Sequence, residues 1–467
     1  MLSIRVAAPL AMLILSGCVS GPDHSPPTTD LPMKYAEGGK ESTGDVSMAA
    51  WWTAFNDKRL NGLVEQGLAQ NLDILQAMER ITSAEASVIV AGAGALPSLT
   101  ASADHTESKT NGISASDKTS TSSGGLSVSW LLDLFGEYKR SKESANASLD
   151  AAYANADTAK LTYMSELVKA YIDARYYQQR IAVARKALGS RRETLELTKL
   201  QLEAGAASRL DVVQSEGLVN STLADLPGFE TNFRQSAHRV ATLLGLPASS
   251  LIADLQKGAP QPVARVRVKA GIPADLIRNR PDIRAAERTL ASYVAEIGVA
   301  EAQLYPSITL GGSISPSYIA TSALGGTSTS WSFGPSLSLP ILDGGSRKAN
   351  VDIAKSSARE QYLAWKQTVL NAVEEVENAL AAVNRDSQTV NALTATVRSY
   401  EEALQLSTAS YKDGASSLLD VLDAQRSVTT AEADLAQAVQ QMAADFVSLN
   451  VAIGGGYAFN SGSAKTM

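Results

Sequence analysis

Apolar residues recur along this chain with two different periods. In its second half Tyr362, Val369, Val376, Val383, Val390, Val397, Leu404 and Tyr411 fall at intervals of seven. In its first half Tyr153, Lys160, Leu167, Ala174, Ile181, Leu188, Leu195 and Leu202 do the same, Lys160 alone being polar. A sustained seven-residue period predicts long helices packed as coiled coils with a left-handed supercoil. No proline lies between Pro97 and Pro227 and none follows Pro340, so little interrupts such helices. At about 1.5 Å per residue, a helix from Glu137 to Glu203 would reach roughly 100 Å.

The second period is two. Leu126, Val128, Trp130 and Leu132 alternate with Ser127 and Ser129, and Ile308, Leu310 and Ile314 alternate with Thr309, Gly311 and Ser313. Trp331, Phe333, Leu337 and Leu339 alternate in the same way with Ser332, Gly334, Ser336 and Ser338. These are strands with one apolar face and one face of small polar residues. A single hairpin of this kind suits a half-buried soluble sheet. Two hairpins with strands of about ten residues suit a transmembrane barrel with a wet interior. Four strands cannot close a barrel and lipid does not tolerate an open edge, so the chain must assemble; a trimer supplies twelve strands. The Ser/Thr/Gly-rich stretches from Lys109 to Gly125 and from Thr321 to Ser330 are expected to be exposed loops.

The two halves are copies. Pro97-Ser98-Leu99-Thr100 returns as Pro306-Ser307-Ile308-Thr309, and 306 − 97 is 209. Asp73-Ile74 and Asp282-Ile283 share that offset, as do Gly205-Ala206 with Gly414-Ala415 and Leu210-Asp211-Val212 with Leu419-Asp420-Val421; Leu132-Asp133 and Leu342-Asp343 differ by 210. So long a period means duplicated domains, not a solenoid of short repeats. The predicted fold is mainly α with a membrane β part: two tandem repeats, each giving a β-hairpin and long coiled-coil helices, and a trimer forming a 12-stranded β-barrel on an α-helical barrel. The first repeat takes 51–250, with its hairpin near 97–134 and long helices near 137–245. A linker follows at 251–271. The second repeat takes 272–456, with its hairpin near 306–340 and long helices near 344–450, and 457–467 form a flexible tail.

Composition removes several function classes. The apolar share of 45% excludes disorder, and the net charge of −7 argues against nucleic acid as a partner. Residues 1–17 contain only Arg5 among charged side chains, so their removal leaves 40 − 48, or −8. No segment has the run of roughly 18 apolar residues that a spanning helix needs. The single cysteine, Cys18, excludes intrachain disulfides and thiolate metal clusters. It ends the sequence Leu15-Ser16-Gly17-Cys18 after Arg5 and the apolar stretch Val6–Leu15, the pattern of a bacterial lipoprotein signal peptide (1–17) whose cysteine is diacylated. The Pro/Thr/Gly-rich residues Ser25 to Asp45, within a segment at 18–50, then read as an extended tether. The histidines His24, His105 and His238 are scattered, and no glycine-rich loop follows a strand in the manner of a phosphate site. No catalytic set, metal site or cofactor is expected.

Trp130-Leu131-Leu132-Asp133-Leu134-Phe135-Gly136 and the run Ile272-Pro273-Ala274-Asp275-Leu276-Ile277-Arg278-Asn279-Arg280-Pro281-Asp282-Ile283-Arg284-Ala285-Ala286-Glu287 carry a family resemblance. They are similar to signature motifs of the TolC-like outer-membrane factors, in the lipoprotein efflux branch that includes OprM and NodT. The resemblance spans about Cys18 to Gly456. It implies an outer-membrane exit duct for drugs or other small molecules, lipid-anchored and extending into the periplasm, which meets a periplasmic adaptor protein and an inner-membrane pump. A type I protein-secretion channel and a lipid-anchored coiled-coil scaffold are the alternatives.

Locally, Asp133 and Asp343 sit where strands give way to helices and can accept from free amides there. Pro281 and Asp282 suit a helix's first turn, and Arg284 with Glu287 is expected to pair between helices. Glu203-Ala204-Gly205 and Asp413-Gly414 are expected to be the helical tip turns, with Gly205 and Gly414 on the adaptor-docking face. Asp420 and Asp423, three apart, share a helix face. By resemblance they line the closed periplasmic aperture, with Asp211 and Gln214 as first-repeat counterparts, and Tyr411 and Asp211 match latch positions. Ser416 stands where the family's latch arginine would be, which leaves Arg209 as a substitute.

Overall fold

The computed structural model describes residues 19–38, 50–111, 116–264, 271–321 and 324–457. The expected signal peptide at 1–17, Cys18 and residues 458–467 lie outside the described residues. After a 3₁₀ turn at Trp51–Phe55, the elements in order are α1 (Lys58–Gln70), α2 (Leu72–Ala93), β1 (Ser98–Asn111), β2 (Ser116–Leu132), α3 (Glu137–Glu203), α4 (Arg209–Leu243) and the short α5 (Ile252–Leu255). The second half follows with α6 (Pro273–Asn279), α7 (Pro281–Ala302), β3 (Ser307–Thr321), β4 (Gly325–Ser338), α8 (Ser346–Lys412) and α9 (Leu418–Ala452).

The duplication appears as equal element lengths. Helices α2 and α7 each have 22 residues, α3 and α8 each 67, and α4 and α9 each 35. Their first residues differ by 209 in every case: 281 − 72, 346 − 137 and 418 − 209. The repeat unit seen in short sequence matches is therefore the structural unit.

The chain forms two compact units. The first takes residues up to Thr29, Glu79–Tyr153 and Ala285–Gln367, and holds the sheet. Its four strands are antiparallel in the order β1-β2-β3-β4, so the second hairpin pairs with the first along β2 and β3. The expected loops are mostly strand. β1 continues to Asn111 and β2 starts at Ser116, while β4 starts at Gly325. Runs of Ser and Thr there keep the ladder going, because backbone pairing needs no apolar side chain and β-branched Thr favours extended structure.

The second unit takes Asp30–Met78, Ala154–Arg284 and Thr368 onward. Its core joins Trp52, Leu60, Met164, Leu167, Tyr171, Val240 and Val447. The heptad positions follow: Leu167, Ala174, Leu188 and Leu195 of α3 and Val369, Val376, Val397 and Tyr411 of α8 are buried, while Val383 and Val390 are half-buried. Tyr153 and Tyr362, the first members of the two series, are exposed.

Local signals act where sequence places them. Asp133 accepts from the amide of Lys139, and Asp343 from those of Gly345 and Arg347. Pro281 opens α7 with Asp282 in its first turn. Arg284 and Glu287 do not pair with each other: Arg284 reaches Asp157 at 3.1 Å, and Glu287 takes His24 at 2.6 Å. Glu287 stands three positions on, and the segment that carries His24 occupies its side.

Candidate functional site

The sheet's two faces are separated by the strand period. Cross-strand partners share a face, and the register pairs Leu126 with Ile314, Ile314 with Trp331, Val128 with Leu99, and Ile308 with both Leu132 and Leu337. The opposite face pairs Ser127 with Ser313, Ser313 with Ser332, and Thr309 with Ser336. The apolar face has no cover among the described residues: Leu99 is 72% exposed, Trp331 78% and Phe333 76%. β1 and β4 each leave one edge without a partner among the described residues. A large uncovered apolar face with open edges marks a surface that meets something else. Among the described residues no helix is long and apolar enough to cross a membrane.

The segment after Cys18 is seated, where sequence suggested a tether. Ser20 donates its amide to the Phe135 carbonyl at 3.0 Å. The side chain of Arg140, only 4% exposed, donates to the carbonyls of Ser20 and Gly21, to Asp23 at 2.8 Å and to Glu143 at 2.7 Å. Burial works against the charged guanidinium, yet the bonds to Glu143 and Asp23 hold its pKa above the usual value. Gly21 at φ +84° lies so close to Gly298 that a Cβ on it would come 2.4 Å from the Gly298 Cα. Within the second unit, the Glu377 carboxylate accepts from the amides of Ala36 and Glu37. Pro-rich composition signals an extended path, and these partners, distant in sequence, hold it down.

The helical turns have the chemistry expected of them. Gly205 and Gly414 adopt φ +74° and +72°. In each turn the residue after glycine bonds back five positions, Ala206 to Gln201 at 2.7 Å and Ala415 to Ser410 at 2.8 Å, and the glycine bonds back three. This is a Schellman ending, which needs a left-handed residue and so selects glycine. The next helices open with matching caps. The Asp211 carboxylate accepts from the amide and hydroxyl of Ser208, and Asp420 from those of Ser417.

On α9 the residues Leu418, Val421 and Leu422 are buried with Tyr411 and pack against Leu197 and Leu218. Asp420 and Asp423 lie on the opposite, exposed face, where Asp423 holds Arg426 at 2.8 Å. The structure thus puts both carboxylates on one outward face of this chain. It does not bring Tyr411 to Asp211: Tyr411 donates to Gln201, and Asp211 is held by its own cap. Ser416 donates to the Ser407 carbonyl at 3.4 Å, and Arg209 is exposed with no ion-pair partner among the described residues. Reasoning from sequence missed Gln201, Arg140 and His24. The partners that matter here, Tyr411 for Gln201, Asp23 for Arg140 and Glu287 for His24, lie far away along the chain.

Comparison with known proteins adds four findings. A family model described as outer membrane efflux protein matches residues 63–246 and 272–455. Nodulation protein T of Rhizobium leguminosarum bv. viciae is 58% identical over 459 residues, covering 98% of this chain and 94% of that protein. Outer membrane protein OprJ of Pseudomonas aeruginosa is 32% identical over 461 residues, 97% of this chain and 96% of that one. Among solved structures, the outer-membrane channel OprN superposes with a TM-score of 0.84 at 32% identity, over 94% of this chain and 100% of that one.

Proposed function

This chain belongs to the outer membrane efflux protein family, and from that premise we propose that it is the outer-membrane exit duct of a tripartite efflux system that exports small molecules. The carrying observation is the uncovered, two-faced sheet with open edges. Three copies would join β4 of one to β1 of the next, close twelve strands, turn the Leu/Ile/Trp/Phe face to lipid and leave the Ser/Thr/Gly face around water. The apolar rows of β3 run from Ile308 to Tyr318. Ten steps at about 3.4 Å, tilted about 40°, give a band roughly 26 Å tall, the height of a membrane barrel's apolar belt. His105 stands level with its end, and beyond it Glu107 and Lys118 take over the same face, paired at 3.2 Å. The family is one of transport ducts, so the chain is not an enzyme.

The finer assignments belong to the same proposal. Cys18 carries the lipid, and the seated segment after it brings the anchor to the body of the protein. The turns at Gly205 and Gly414 form the periplasmic end and dock the adaptor protein, behind which stands an inner-membrane pump. Asp420 and Asp423 of three chains form two carboxylate rings at the aperture, with Tyr411 and Asp211 beside them as part of the gate. Like charges several ångströms apart repel by about 1 kcal/mol each at intermediate dielectric, so confined rings select cations and hold multivalent ones. In single-channel recordings, Asp420→Asn with Asp423→Asn is expected to lower cation selectivity and abolish block by a trivalent cation added from the periplasmic side. Retention of both properties would remove these residues from the aperture.

A further inference from the structure

Behind the acidic face of α9 lies a buried amide. Gln425 is 4% exposed, and its side-chain nitrogen donates to Thr194 Oγ1 at 2.8 Å, Ser190 Oγ at 3.0 Å and the Ser190 carbonyl at 3.3 Å. Its Oε1 is buried without a hydrogen-bond partner among the described residues. A leucine of similar size would bury more apolar surface and leave nothing unsatisfied, so a half-satisfied amide is a poor choice for stability alone. Single buried polar residues in helical seams act instead as register devices, because only one alignment satisfies them.

Gln425 is two residues beyond Asp423, about 200° around the helix at 100° per residue. Whatever fixes the rotation of α9 at Gln425 therefore fixes where Asp420 and Asp423 point. The neighbouring seam, made by Val421, Leu422 and Val428, is aliphatic and can slide or rotate with little change in contact area. The device exists in one repeat only. At the offset of 209 the counterparts of Gln425, Ser190 and Thr194 are Glu216, Ser399 and Ala403, which cannot reproduce the bonds. The acidic pair is likewise complete only in the second repeat, where Asp211 and Gln214 are its counterparts. Clasp and acidic face thus occur together.

We propose that Gln425, clasped by Ser190 and Thr194 of α3, is a positioning residue that sets the azimuth and register of α9 and so aims Asp420 and Asp423. The clasp is a matter of helix packing, while the consequence for ions rests on the aperture reading given above. Two readouts separate them. Spin labels on the exposed positions Glu193→Cys of α3 and Thr430→Cys of α9, in the full-length assembled protein, report the packing by pulsed EPR. The clasped protein is expected to give one narrow distance distribution, and Gln425→Leu a distribution that broadens or splits. Ser190→Ala with Thr194→Val removes the acceptors from the other side and is expected to do the same, which covers a folding failure of the first variant. Trivalent-cation block in single-channel recordings reports the aim. Loss of a net hydrogen-bond contribution shifts an equilibrium by roughly fivefold, and block is expected to weaken by about that factor in either variant. An unchanged distance distribution in both variants overturns the clasp. A broadened distribution with unchanged block supports the clasp and overturns the aperture assignment of the two aspartates.

Discussion

Arg280 is almost removed from solvent, yet its donors are matched. It meets Asp282 at 2.7 Å and Glu375 at 2.6 Å and donates to the Ala452 carbonyl at 2.9 Å. Burial works against the charged guanidinium, and the bonds to Asp282 and Glu375 outweigh it, leaving the pKa above its usual value. The motif from Ile272 to Glu287 is therefore a joint that ties the start of α7 to α8 and the end of α9. Arg280→Lys should cost about 2 kcal/mol, because an ammonium cannot serve a bidentate carboxylate and two further acceptors at once. Chemical denaturation of the detergent-solubilised protein measures it, and a change under about 0.5 kcal/mol would contradict the joint. Asp386 offers a pH test. Burial, and then the neighbouring Asp445 carboxylate, push its pKa from 3.8 up to about 6. The folded state then binds the proton more tightly than the unfolded one, so this group favours the fold below about pH 4 and the contribution is lost as pH rises through about 6. Asp386→Asn is expected to stabilise the fold at pH 8 by on the order of 1 kcal/mol after solvent screening, read as a higher thermal midpoint, and to leave pH 4 nearly unchanged. Equal effects at both pH values would place the carboxyl in ordinary solvent. At this scale sequence was informative wherever the partner is local, as with the capping carboxylates Asp133 and Asp343. It was silent about the bonds of Arg140 to Asp23 and of Gln425 to Thr194, which join residues 117 and 231 apart.

The helices and strands were legible because their periods extend over many residues. Seven-residue spacing marked α3 and α8, and alternation marked the sheet, including which face is apolar. Boundaries failed where composition misleads. The Ser/Thr-rich arms of the hairpins look like loops but pair as strands. The helical reading to about 245 runs through Pro227, and so does α4. That proline is exposed, so water can take the carbonyl its ring leaves unpaired. The heptad reading has a direct test at Val376, which is fully buried. Val376→Asp places an unpaired charge in the seam and should cost several kcal/mol. The thermal midpoint should fall by many degrees, and an unchanged midpoint would show that α8 does not pack through its heptad face.

For the whole molecule, the open sheet decides the account. A chain with strands β1 to β4 alone leaves two edges and a wide apolar face uncovered, and no rearrangement within four strands removes them. The need for partners could be read from the strand count, whereas the seated segment at 19–24 could not, since composition reports an extended path but not its contacts. The most direct test of the exit-duct account is the mass of the assembled protein released intact from a mild detergent micelle by native mass spectrometry. The account predicts a single species of three chains that persists while the sheet remains folded. A stable monomer with its β structure intact by circular dichroism would contradict it.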